Sequence, residues 1–160
     1  MAGVTLMFKR MLLCSDGSDR GRRALRRGAE LAVFFGAQVH VLSIIPNNRA
    51  DSAIAAAAFG YACLADEVGT HRRLLDASIE WLGKHGVTAH GYLASGDTPN
   101  QIASYANRLA IDLIVLGNYP QTSGGSWWSG PKRPSLSERV GCCILVAVDA
   151  VDDPSLPQSS

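Results

Sequence analysis

The sequence predicts a three-layer α/β/α domain, a doubly wound, Rossmann-like parallel sheet of five strands between two layers of helices. Short apolar segments without polar alternation recur along the chain, as in Leu113-Ile114-Val115-Leu116, and such segments mark strands buried on both faces. Between them lie longer segments with apolar residues at helical spacing, so the order reads β-α-β-α-β-α-β-α-β. Right-handed crossovers then distribute the helices over both faces of the sheet.

Each element has its own signal. Arg10 to Ser15 is a short buried strand. Asp16-Gly17-Ser18-Asp19 turns the chain into a helix, with Ser18 or Asp19 as N-cap. Ala24, Leu25, Gly28, Ala29, Leu31, Ala32 and Phe35 form the inner stripe of that helix, and Gly36 stops it. Gln38 to Ile45 is the second strand, ended by Pro46. The alanine-rich stretch from Asp51 to His85 is helical, with room for a break at Gly60 and Gly69, and Gly86 ends it. Val87 to Ala94 is the third strand. Asp97 or Thr98 caps the next helix, whose first turn holds Pro99 and whose inner stripe is Ile102, Ala103, Ala106, Leu109 and Ala110. Asp112 to Gly117 is the fourth strand. After a loop rich in Gly, Ser and Pro, Ser135 and Glu138 have capping-box spacing and start a short helix. Cys142 to Val148 is the fifth strand.

Composition bounds the function. The 160 residues are 47% hydrophobic and 18% charged, with mean hydropathy +0.07, which is enough apolar material for a core and excludes disorder throughout. No apolar run reaches the ~18 residues that span a bilayer. Met1 to Leu13 carries no long apolar segment, since Lys9 and Arg10 interrupt it, so a secretory leader is not expected. With 15 Lys+Arg against 14 Asp+Glu, the net charge of +1 argues against bulk nucleic-acid or membrane-surface binding. Cys14, Cys63, Cys142 and Cys143 lack zinc-ligand or disulfide-framework spacing. The expectation is a cytoplasmic protein with reduced thiols and no metal. Residues 1–9 read as an extension, 10–148 as the domain, and 149–160 as an acidic, Pro- and Ser-containing tail.

In a doubly wound sheet, ligands bind beyond the carboxyl ends of the strands where the strand order reverses. The segments following strands one and four, Asp16 to Asp19 and Gly117 to Ser137, are therefore the place to seek a site. Met11-Leu12-Leu13-Cys14-Ser15-Asp16-Gly17-Ser18 opens the domain. Gly96-Asp97 and Ala110-Ile111-Asp112-Leu113-Ile114-Val115-Leu116-Gly117 follow in its second half. Ser135-Leu136-Ser137-Glu138-Arg139-Val140, then Cys143-Ile144-Leu145-Val146, close it. In this order and spacing these segments resemble the universal stress protein family over residues 10–148. The resemblance implies strand order 3-2-1-4-5 and a homodimer paired through the last strand, here bearing Ile144, Val146 and Val148. An apolar edge strand is an association hazard unless it is paired.

The resemblance also implies how a nucleotide would be held. Family members that bind ATP carry G-x-x-G-x9-G-[S/T] after strand four, whose glycines let backbone N–H groups reach the phosphates. Gly117 matches the first glycine, but Pro120 and Pro134 stand at the other two, and 13 residues separate them. Proline has no N–H to donate and fixes φ. The expectation is a degenerate nucleotide loop in a non-catalytic stress-response or signalling protein without a cofactor. The alternative is an ATP or AMP sensor with a rebuilt loop and at most slow hydrolysis. It would use Asp16, Gly117, Ser135 and Ser137, with Lys132 and Arg133 adding positive charge.

Several residues carry two readings. Asp16 suits an Asx-turn as well as a ligand contact. Ser135 suits a helix cap more than a phosphate contact, and Ser137 a solvated helix surface. The arginines from Arg20 to Arg27 form a solvated face on which Arg26 and Glu30 can pair. Trp127-Trp128 is either a lid over the site or a contact surface for a protein partner. Cys142 and Cys143 point to opposite faces of their strand, so burial is favoured over redox work. His40 and His90 can meet on strands two and three, without a third metal ligand. No Ser-His-Asp, Cys-His or paired-carboxylate arrangement supports catalysis.

Overall fold

The computed structural model describes residues 7–46, 61–117 and 136–147. The elements are β1 (Arg10–Cys14), α1 (Asp19–Phe35), β2 (Gln38–Pro46), α2 (Tyr61–Lys84), β3 (Ala89–Gly96), α3 (Thr98–Arg108), β4 (Leu113–Gly117), α4 (Leu136–Arg139) and β5 (Cys143–Ala147). The strands form one five-stranded sheet of order β3-β2-β1-β4-β5 in which every pair is parallel, as expected.

The period-two geometry of β1 divides the core. Met11 and Leu13 enter one apolar cluster with Ala24, Leu25, Leu75, Leu82 and Val115, beneath α1 and α2. Leu12 and Cys14 enter the other with Leu42, Ile102, Ala106, Ile114 and Leu136, beneath α3 and α4. Both faces of β1 are thus apolar, which explains its lack of alternation.

Local chemistry sets the boundaries. The Ser18 side chain accepts from the amide of Gly21 at the start of α1, and Gly36 at φ 60° closes it. Glu30 pairs with Arg27 at 2.9 Å, three residues away, rather than with Arg26 four away. Helix α2 runs unbroken through Gly69. It closes at Gly86, where the amide of Val87 donates to the carbonyl of Leu82 at 3.0 Å. That bond commits Val87 to the helix end, so β3 begins at Ala89 and runs on to Gly96, opposite Pro46. Asp97 caps α3, accepting from the amide of Asn100 at 3.3 Å, with Pro99 in the first turn.

Asp112 ties the amino end of the central strands together. Its carboxylate accepts from the amides of Lys9 at 2.8 Å and Arg10 at 3.1 Å, while its own amide donates to the carbonyl of Arg10. Among the described residues no helix is long and apolar enough to cross a membrane.

Helix α3 ends in a left-handed turn occupied by Ala110 at φ 51°, with the Ile111 amide donating to the Ala106 carbonyl at 2.9 Å. Glycine is the residue that takes this conformation without a Cβ clash. Ala110→Gly is therefore expected to raise stability by about 0.5–1 kcal/mol, measured by urea denaturation.

Candidate functional site at the ends of β1 and β4

The chain leaves β1 through a polar turn. The amide of Ser15 donates to the carbonyl of Leu42 at 3.0 Å, extending the strand by one bond. One oxygen of Asp16, Oδ1, accepts from both the amide of Ser18 at 2.9 Å and its hydroxyl at 2.6 Å. The same hydroxyl oxygen accepts from the amide of Gly21 at 3.0 Å. Asp16 thereby aligns the cap of α1, the Asx-turn role anticipated from Asp before Gly. A Cβ at position 21 would lie 2.3 Å from Asp16 Oδ1, so the carboxylate occupies the space a larger residue would need. Arg22 donates to the carbonyl of Gly17 at 2.9 Å and forms an ion pair with Asp19.

Gly117 ends β4 against the same helix. A Cβ there would meet the backbone of Arg20 at 2.8 Å. The Asp16 turn, the first turn of α1 and Gly117 therefore converge at the carboxyl ends of two adjacent strands, β1 and β4. On one side of this point the chain continues to β2, on the other to β5, which makes it the switch point of the sheet.

The remaining site candidates divide. Ser137 is exposed on α4. That short helix is fastened to α3, since the Arg139 guanidinium donates to Asn100 Oδ1 and Asn107 Nδ2 donates to the Arg139 carbonyl at 3.3 Å. Ser135, Lys132, Arg133, Pro120, Pro134, Trp127 and Trp128 lie outside the described residues. Ile144 and Val146 are half-buried on β5, whose partner in the sheet is β4, and Val148 lies outside the described residues.

Two buried polar pairs were not foreseen. Ser15 Oγ lies 3.3 Å from Ser78 Oγ, which donates to the Leu74 carbonyl. Ser43, fully buried, has its hydroxyl 3.1 Å from His71 Nδ1. A serine inside the apolar run from Val39 to Ile45 was the available signal, but its partner belongs to a different element. His40 and His90 do meet, in register on β2 and β3 with ring centroids 5.6 Å apart. Among the described residues no three metal-ligating groups cluster. Burial pushes the Cys14 thiol up to about 12, with help from the charge of Asp16. Burial, then Cys143 and Asp112, also raise Cys142. Neither position favours a reactive thiolate. A separate groove of about 530 Å³ lies between α1 and α2, lined by Arg26, Ala29, Glu30, Val33, Trp81 and His85.

A parallel sheet of this order, with an aspartate turn and a glycine-ended strand meeting at its switch point, defines a doubly wound α/β domain, a class of fold whose ligands bind at the switch point. The model of the Universal stress protein family matches residues 7–132, and the chain belongs to that family. It is 23% identical over 146 residues to universal stress protein YxiE of Bacillus subtilis, covering 88% of this chain and 99% of YxiE. Its fold is similar to that of UspA from Lactobacillus plantarum, with a TM-score of 0.65 at 18% identity, covering 87% of this chain and 97% of the other. It is also similar to that of a universal stress protein in complex with cAMP, with a TM-score of 0.62 at 18% identity, covering 89% and 98%.

The contact at Gly117 is testable. Gly117→Ala forces the end of β4 off the first turn of α1, and is expected to cost about 1–3 kcal/mol of stability, as overpacking does, measured by thermal or denaturant unfolding.

Proposed function

We propose that this universal stress protein is a non-catalytic, cytoplasmic signalling protein that has lost ordinary nucleotide binding and acts as a homodimer on a protein partner. The observation that carries this reading is the pair of prolines. Pro120 and Pro134 stand where ATP-binding relatives place glycines, and each removes a backbone donor that a phosphate would need. The local geometry agrees with it, because Oδ1 of Asp16 is committed to the cap of α1. The Trp127-Trp128 loop is the proposed partner contact.

Calorimetric titration with ATP, ADP, AMP and cAMP tests the loss of binding. Dissociation constants weaker than ~1 mM are expected. Micromolar binding of any of the four would overturn the reading in favour of a second one.

That second reading is a nucleotide sensor with a rebuilt loop. It draws on the convergence of Asp16 and Gly117 and on a similar fold having been solved with cAMP. In it, Ser135 and Ser137 supply hydroxyls, Lys132 and Arg133 supply charge, and hydrolysis is at most slow. Its mark is purified protein that carries nucleotide, seen as excess absorbance at 260 nm and lost in Asp16→Ala.

The dimer is proposed to form across β5, where Ile144 and Val146 are half-buried on an edge strand and Val148 follows in sequence. Light scattering at micromolar concentration should report twice the 17.0 kDa chain mass. A monomer would remove the proposal.

A further inference from the structure

The opposite edge of the sheet holds an unusual polar cluster. His40 lies on β2 and is 5% exposed, yet its Nε2 has no hydrogen-bond partner among the described residues. Its Nδ1 lies 3.1 Å from the Tyr92 hydroxyl on β3. The ring stacks on that of His90, which is exposed and whose Nε2 lies 3.4 Å from Gln38 Nε2. From α3, Tyr105 packs edge-on against Tyr92, with the Arg108 guanidinium 4.2 Å above its ring. From β1, the charge of Arg10 acts on His40. The groups beside His40 are therefore His90 and Tyr92, with the charge of Arg10 acting on it, while Tyr105 backs Tyr92 and carries Arg108 over its own ring. The nearby carboxylate of Asp112 is turned to the amides of Lys9 and Arg10.

We propose that His40 and His90 form an acid-sensitive latch that holds the edge strand β3, and α3 above it, to the rest of the sheet. In the neutral state Nδ1–H of His40 donates to the Tyr92 hydroxyl oxygen, Nε2 carries no proton, and the two rings stack. Protonation of His40 puts an N–H on Nε2, where no acceptor stands among the described residues, and a charge in a buried site acted on by Arg10 and His90. Protonation of both rings sets like charges 5.6 Å apart across the β2–β3 pair. Among the described residues β2 is the one sheet neighbour of β3, so β3 yields before the central strands β1 and β4.

The direction with pH follows. Burial, then His90 and Arg10, hold the His40 pKa below the ordinary 6.5. Once the latch opens, His40 regains its ordinary affinity for a proton, so the open form binds more protons than the closed one. The closed latch is fully stable above pH 6.5 and weakens as pH falls toward the depressed native value. A histidine that is neutral when closed and ordinary when open favours opening by at most about tenfold at pH ~5.5.

Amide hydrogen exchange at pH ~7.5 and ~5.5, corrected for intrinsic rates, reads this directly as a loss of protection of about three- to tenfold in Ala89–Gly96. Protection in Met11–Cys14 and Leu113–Leu116 should hold. His40→Gln is expected to abolish the loss, and the exposed His90→Gln to reduce it while leaving the fold intact. Protection of β3 that is indifferent to pH, or an unchanged response in His40→Gln, overturns the latch. Should His40→Gln fail to fold, NMR titration of the His40 ring in the parent decides, and a native pKa at or above 6.5 refutes the proposal. None of these readouts depends on nucleotide binding.

Discussion

Strand β1 is the constraint on which the other elements depend. Met11, Leu12 and Leu13 are each completely buried, on alternate faces, and the strand pairs with both β2 and β4. Each apolar layer therefore has its centre on this one strand. Each end of β1 is tied by one carboxylate. Asp112 takes the amides of Lys9 and Arg10 at the amino end, and Asp16 takes the amide and hydroxyl of Ser18 at the carboxyl end. Charge-assisted bonds of this kind are the stronger class of hydrogen bond. They orient the strand whose side chains enter both apolar clusters.

The carboxyl-end tie also explains the character of the candidate site. A nucleotide-type site at the switch point needs free donors and room beside the first turn of α1. Here Asp16 is drawn into the cap, Gly21 leaves it space, and Gly117 lies against Arg20. These contacts give the switch point a structural role whether or not a ligand enters. In this chain Asp16, Gly21 and Gly117 thus hold the fold together at the switch point itself.

Much of this was legible in the chain because the signals were local. Ser18 and Gly36 bracket α1, Asp97 and Pro99 open α3, and the unbroken apolar run of β4 marks a strand covered on both faces. Strand order had no local signal and came through the resemblance carried by several segments in their order and spacing. The differences arose where a residue serves two elements. Val87 reads as strand by composition, but its amide closes α2. Glu30 has arginines both three and four residues before it, and side-chain direction rather than spacing selected Arg27. Ser43 with His71 and Ser15 with Ser78 join residues of different elements, and no pattern within either element names the partner.

The all-parallel order has a consequence for the time course of folding. No two neighbouring strands can form as a hairpin, so each pairing waits for a crossover to be made. The bond between Arg10 and Asp112 spans 102 residues, so β1 obtains its second neighbour only when most of the chain is present. Closing so long a loop costs entropy before any contact repays it, and places this domain among the slower folders of its size. On the ribosome, the central strand β1 would wait with one edge bare until β4 emerged. That interval, more than the stability of the finished sheet, is when the chain is most exposed to mispairing and most in need of a chaperone.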